Sequence, residues 1–143
     1  PLPALRKPVY LALQDVVQGQ RLCQQLQSFG LPAQALDTAN GFRSAMTERH
    51  PAAILMDIDF AGQGCGLRLA EEVQNSLEPK LPLLFFSQEE TDTPTRLAAV
   101  RAGGREFFTG ILDASCLLER IETLTHVSQY DPYKVLIVDD SRA

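Results

Sequence analysis

The sequence has 143 residues, 45% hydrophobic and 22% charged, with a formal net charge of −5. That length suits a single domain able to close a core, and an acidic chain without a basic stripe excludes nucleic acid as a direct ligand. The longest apolar runs, residues 52–56 and 81–86, are too short to span a bilayer, and residues 1–8 carry no signal-peptide core, so no membrane partner and a cytoplasmic location are expected.

Residues 9–13 read as a first strand. A helix over 16–29 follows, with Val16, Leu22, Cys23, Leu26 and Phe29 at helical spacing, and Gly30-Leu31-Pro32 stops it. Residues 32–36 form a weak second strand. Thr38 or Asn40 caps a helix running to Arg49, with Phe42, Ala45 and Met46 on its buried face. Residues 52–57, an apolar run ending in an acid, have the pattern of a strand buried on both faces. A Gly-rich loop over 61–66 leads into a helix with Leu67, Leu69, Ala70 and Val73. Residues 81–87 make a fourth buried strand. The next helix covers 91–102, with Pro94 in its first turn and Gly103-Gly104 closing it. Residues 106–109 are a fifth strand, and 114–127 the last helix, with Leu117, Leu118, Ile121 and Leu124 at helical spacing. Cys23, Cys65 and Cys116 are odd in number and lack metal-ligand spacing, so free thiols are expected.

Alternating strands and helices with short connections imply a parallel sheet covered on both faces. Such sheets bind ligands beyond the C-terminal ends of their strands. That rule singles out Gln14 and Asp15, Asp57 with Asp59, Ser87, and Thr109 with Gly110. Past residue 127 a polar linker, 128–133, precedes Lys134-Val-Leu-Ile-Val-Asp139-Asp140-Ser141-Arg142. This reads as the first strand of a second module, and residues 134–140 align without gaps on 9–15. The alignment sets Gln14 opposite Asp139 and Asp15 opposite Asp140.

With these residues in place, 8–127 resembles a response-regulator receiver (CheY-like) domain, and 134–142 is similar to the start of a second receiver. The resemblance implies a flavodoxin-like (βα)5 fold, a doubly wound five-stranded parallel sheet in three α/β/α layers. It implies Asp57 as phospho-acceptor, Ser87 as the hydroxyl that contacts the phosphoryl group, and Asp15 with Asp57 as ligands of Mg²⁺. A carboxylate nucleophile needs such a cation to offset the charge gathered on the phosphoryl group, and Mg²⁺ accepts one or two carboxylates. Asp59 is read three ways: a further metal ligand, a source of repulsion, or a solvated loop acid. Phe107 matches the family's switch aromatic, and a plain core role is the favoured reading of it.

The departures from the family pattern are as informative. Gln14 replaces one acid of the pair ending the first strand, and Gly110-Ile111 stands where the family has Lys-Pro. A charge-assisted contact of the kind that lysine makes is worth roughly 1.5–3 kcal/mol. The resemblance therefore implies a degenerate (pseudo-) receiver in two-component phosphorelay signalling, with Mg²⁺ binding weak or absent. It would be an interaction, dimerisation or adaptor module and not an enzyme, contacting a neighbouring receiver or output domain of the same chain, or a second copy, through the region 91–108. The alternative is a slow switch phosphorylated at Asp57 with Mg²⁺ by a histidine kinase or a small phosphodonor, controlling an output such as a diguanylate cyclase. Another enzyme class has no support, because the sequence holds no nucleophile–His pairing, metal cluster or phosphate loop.

Overall fold

The computed structural model describes residues 7–77 and 80–129. Ten elements alternate along them: β1 (Val9–Ala12), α1 (Val16–Ser28), β2 (Ala33–Leu36), α2 (Ala39–Glu48), β3 (Ala53–Asp57), α3 (Cys65–Asn75), β4 (Leu83–Ser87), α4 (Thr93–Arg101), β5 (Gly104–Thr109) and α5 (Ala114–Gln129). The strands form one parallel sheet in the order β2-β1-β3-β4-β5, the expected flavodoxin-like, doubly wound arrangement.

Two apolar cores, one on each face, account for the three layers. Side chains alternate across a strand with period two. Tyr10, Ala12, Ile54, Met56 and Phe85 pack with Phe42, Met46, Leu69, Val73 and Ala99 from α2, α3 and α4. Their neighbours Val9, Leu11, Leu55, Leu84 and Phe86 pack with Leu22 and Leu26 of α1 and Leu117 and Ile121 of α5. The central strands are thus buried on both sides, which explains their unbroken apolar runs. The Tyr10 hydroxyl, inside the first core, donates to the carbonyl oxygens of Ala45 and Arg49.

Several boundaries differ from the sequence reading, each for a local reason. β4 starts at Leu83 and not at 81, because the Gln74 side chain claims the Leu81 backbone in both directions. Its Nε2 donates to the Leu81 carbonyl at 2.9 Å and its Oε1 accepts the Leu81 N–H at 3.1 Å. α4 starts at Thr93 because Asp92 is the N-cap, its carboxylate accepting the Thr95 N–H at 2.9 Å. β5 starts two residues early, at Gly104, with a register shift that leaves Arg105 extra against β4. Gly104 therefore belongs to a strand, and the close of α4 falls to Gly103 alone. α3 begins inside the expected Gly-rich loop, at Cys65. α5 runs through Ser128 and Gln129, taking the first two residues of the expected linker, since nothing before Pro132 breaks a helix. The remainder of that linker and the strand expected over 134–143 lie outside the described residues.

The three cysteines are free thiols. Among the described residues no helix is long and apolar enough to cross a membrane.

Candidate functional site

The C-terminal ends of β1, β3 and β4 lie together at one end of the sheet, where the chain leaves β1 for α1 on one face and β3 for α3 on the other. An open cleft of about 530 Å³ lies there, lined by Gln14, Asp57, Asp59, Ser87 and the segment Gln88–Asp92 among others. Asp57, the last residue of β3, is 4% exposed. Its Oδ2 accepts the Gln14 backbone N–H at 3.1 Å and its Oδ1 accepts the Asp59 N–H at 2.9 Å. Burial raises the Asp57 pKa above the ordinary carboxylate value; the two N–H donors oppose that, and the nearby Asp59 charge adds to it.

The loop that aims Asp57 depends on a glycine. The Cβ of any larger residue at position 66 would stand 1.9 Å from the Asp57 carbonyl oxygen, so the first turn of α3 presses backbone to backbone on the end of β3. The Leu67 N–H reaches the Ile58 carbonyl at 3.2 Å, and the Asp59 carboxylate accepts the Gly64 N–H at 2.9 Å. Asp59 thus closes its own loop while lining the cleft. Ser87, 5% exposed, donates its hydroxyl to the Glu89 carbonyl at 2.8 Å.

Asp15 is exposed and caps α1, its carboxylate accepting the Gln18 N–H at 3.2 Å, and it does not line the cleft. Gln14 touches the site through its backbone N–H. Gly110 donates its N–H to the Ser87 carbonyl at 3.1 Å, with φ at 81° and open space where a Cβ would stand. Ile111, beside it, is 95% exposed. Phe107 is half-buried on β5, its ring centroid 6.5 Å from that of Phe85 and 4.8 Å from the guanidinium carbon of Arg96.

Sequence reasoning missed the far wall of the cleft, Gln63 and Gln88 through Asp92 with Thr95. These are loop and first-turn residues without periodicity; only the cluster Glu89-Glu90-Thr-Asp92 beside a strand end could have drawn attention to them. Among the described residues the lining holds five carboxyl groups, Asp57 and Asp59 included, and no Lys or Arg. Divalent Mg²⁺ demands near-octahedral oxygen ligands. Among the described residues no three His, Cys, Asp or Glu side chains converge on a point. The Asp15 carboxylate caps α1, that of Asp59 accepts the Gly64 N–H, and each Asp57 oxygen accepts one backbone N–H. Of the two ligands that the resemblance implied, Asp57 lines the cleft and Asp15 does not.

No family model and no curated protein matches the sequence. Solved structures do match the fold. The NtrX receiver domain from Brucella abortus superposes with a TM-score of 0.72 at 21% identity, over 82% of this chain and 98% of that one. A two-component response regulator from Clostridium difficile gives 0.77 at 14% identity, over 87% and 100%. The longer NtrX chain of Brucella abortus gives 0.74 at 21% identity; the match covers 94% of this chain but only 29% of that one. At these identities the likeness is one of fold, that of response-regulator receiver domains.

Proposed function

We propose that this chain is a degenerate receiver module of two-component signalling, which works through protein contacts and not through a phosphoryl group on Asp57. The observation that carries the reading is the cleft's charge: five carboxyl groups, no lining cation, and a glycine at the position where a receiver has lysine. Phosphoryl transfer to a carboxylate brings two negative groups together and needs fixed positive charge to offset them. Among the described lining residues no Lys or Arg supplies that charge, and the serine hydroxyl already has an acceptor in the Glu89 carbonyl.

The contact surface we assign is α4 with β5, within the region 91–108. Val100 is 65% exposed on α4 and Leu97, one turn away, is also exposed, with Arg101 and Arg105 beside them. A neighbouring receiver or output domain of the same chain, or a second copy, is the proposed partner, in the cytoplasm. The second reading, a slow switch with Mg²⁺ and a histidine kinase, draws on one observation: Asp57 ends β3 inside the cleft with Ser87 on the next strand.

Intact mass after incubation with acetyl phosphate and Mg²⁺ decides between them. We expect no adduct on the wild type and none on Asp57→Asn. Gly110→Lys has room for its side chain but meets a backbone at positive φ, costing about 1–2 kcal/mol; an adduct gained there identifies the missing cation as the lesion. An adduct on the wild type that Asp57→Asn abolishes overturns the proposal in favour of the switch.

A further inference from the structure

A second hollow, of about 390 Å³, lies between α2 and α3, on the face of the sheet away from α1 and α5. Its volume is that of a small-molecule site. Its lining charge is opposite to the cleft's: Arg43 and Arg68 stand against one acid, Glu72, in a chain whose net charge is −5. Glu72 positions Arg43 and leaves part of it open. The two carboxylate oxygens accept from Nε at 3.1 Å and from Nη2 at 3.2 Å. That side-on pairing leaves Nη1 and the second Nη2 hydrogen without an acceptor among the described residues. Arg68 forms no ion pair among the described residues; its Nη2 donates to the Cys65 Sγ at 3.8 Å. Ala39 and Cys65, the first residues of α2 and α3, also line the hollow, so two helix starts add their partial positive charge to that of the guanidiniums.

We propose that this hollow binds a phosphate group, as the free ion or as a small monoester, between the unfilled N–H groups of Arg43 and the guanidinium of Arg68. Planar guanidinium forks match phosphate oxygens, and a tetrahedral anion accepts from two of them at once. The Glu72 pairing holds the Arg43 fork before the ligand arrives, so less side-chain freedom is lost on binding. Glu72 itself does not forbid an anion, because Arg43 already matches its charge and Arg68 stays in excess. The hollow and the cleft share the β3–α3 loop, with Ala61 and Cys65 lining the one and Gln63 and Gly64 the other. Five carboxyl groups disfavour the same ligand in the cleft, so the two openings sort ligands by charge. The site uses neither Asp57 nor Ser87, and so stands or falls separately from the reading of the cleft.

Amide NMR spectra of the full chain, titrated with inorganic phosphate and with methyl phosphate and matched against sodium chloride at equal ionic strength, test it. We expect saturable shifts centred on residues 39–43 and 61–68, with a Kd in the millimolar range or below. Tighter binding of methyl phosphate identifies the ligand as a monoester, and equal or weaker binding identifies it as the free ion. Arg43→Gln and Arg68→Gln are each expected to weaken binding by about tenfold, the low end for a hydrogen bond to a charged group. Arg68→Lys, which keeps the charge and loses the fork, is expected to recover part of that loss. Arg21→Gln, which removes the same charge from an exposed position of α1, is expected to bind as the wild type does. Unchanged signals from β1 and β3 establish that each variant folds. Shifts that do not saturate, that sodium chloride reproduces, or that centre on Ser87 and Gln88 overturn the proposal, and so does undiminished binding in either Arg→Gln variant of the hollow.

Discussion

Two opposing effects meet in the Asp57 carboxyl group. Burial at the end of β3 disfavours its charge, while the N–H groups of Gln14 and Asp59 favour it, and the balance raises its pKa. An acid shifted this way stabilises the folded chain while protonated. That contribution is complete below the ordinary carboxylate pKa and is lost as pH rises through the raised, folded-state value. Asp57→Asn does not titrate, so lowering the pH through this window favours the wild type relative to the variant. Thermal melts of both proteins at stepped pH check this: the difference in Tm is expected to move toward the wild type on acidification, and a constant difference contradicts it. The residue-level reading was legible where composition changes abruptly. Asp57 and Ser87 stand out because each ends an apolar run, and Gly110 because a receiver-like pattern expects lysine there. Asp15 was less legible, since an acid after a first strand and an acid opening a helix have the same appearance in sequence; its carboxylate is found on the Gln18 N–H.

Among the elements, α3 shows how the site is held in place. Its first turn lies so close to the end of β3 that Gly66 tolerates no Cβ, whereas a Cβ on Gly19 of α1 would sit in ordinary contact, 3.7 Å from that of Leu13. Gly66→Ala is expected to destabilise the chain by about 1–3 kcal/mol, the range for overpacking a close contact. Gly19→Ala is expected to add about 0.5–1 kcal/mol, the ordinary gain of alanine over glycine in a helix. Urea denaturation of both variants measures the two signs, and equal effects would contradict this account of the β3–α3 junction. Strands were readable as unbroken apolar runs, because both of their faces are buried, and helices from the spacing of their apolar residues or, for α4, from its Pro and Gly ends. The ends were less so. Gln74 takes Leu81 out of β4 through two side-chain bonds across seven residues, and nothing in a local pattern announces such a bond.

At the scale of the molecule, the sheet brings five carboxyl groups to one cleft and leaves exposed apolar residues on α4. The strand-end rule located the cleft from sequence alone. Its acidity emerged only in three dimensions, since Glu89, Glu90 and Asp92 lie more than thirty residues from Asp57. The same holds for Arg96 and Phe107, which meet across the α4–β5 boundary. The central claim is that this cleft does not take a phosphoryl group and that the outer surface acts without one. Amide NMR spectra of the wild type and of Asp57→Asn, recorded with Mg²⁺ before and after adding beryllium fluoride as a phosphoryl mimic, test it most directly. The account predicts that the mimic leaves the signals of Asp57, Ser87 and α4 in place in both proteins; saturable shifts of those signals in the wild type, absent from Asp57→Asn, would contradict it.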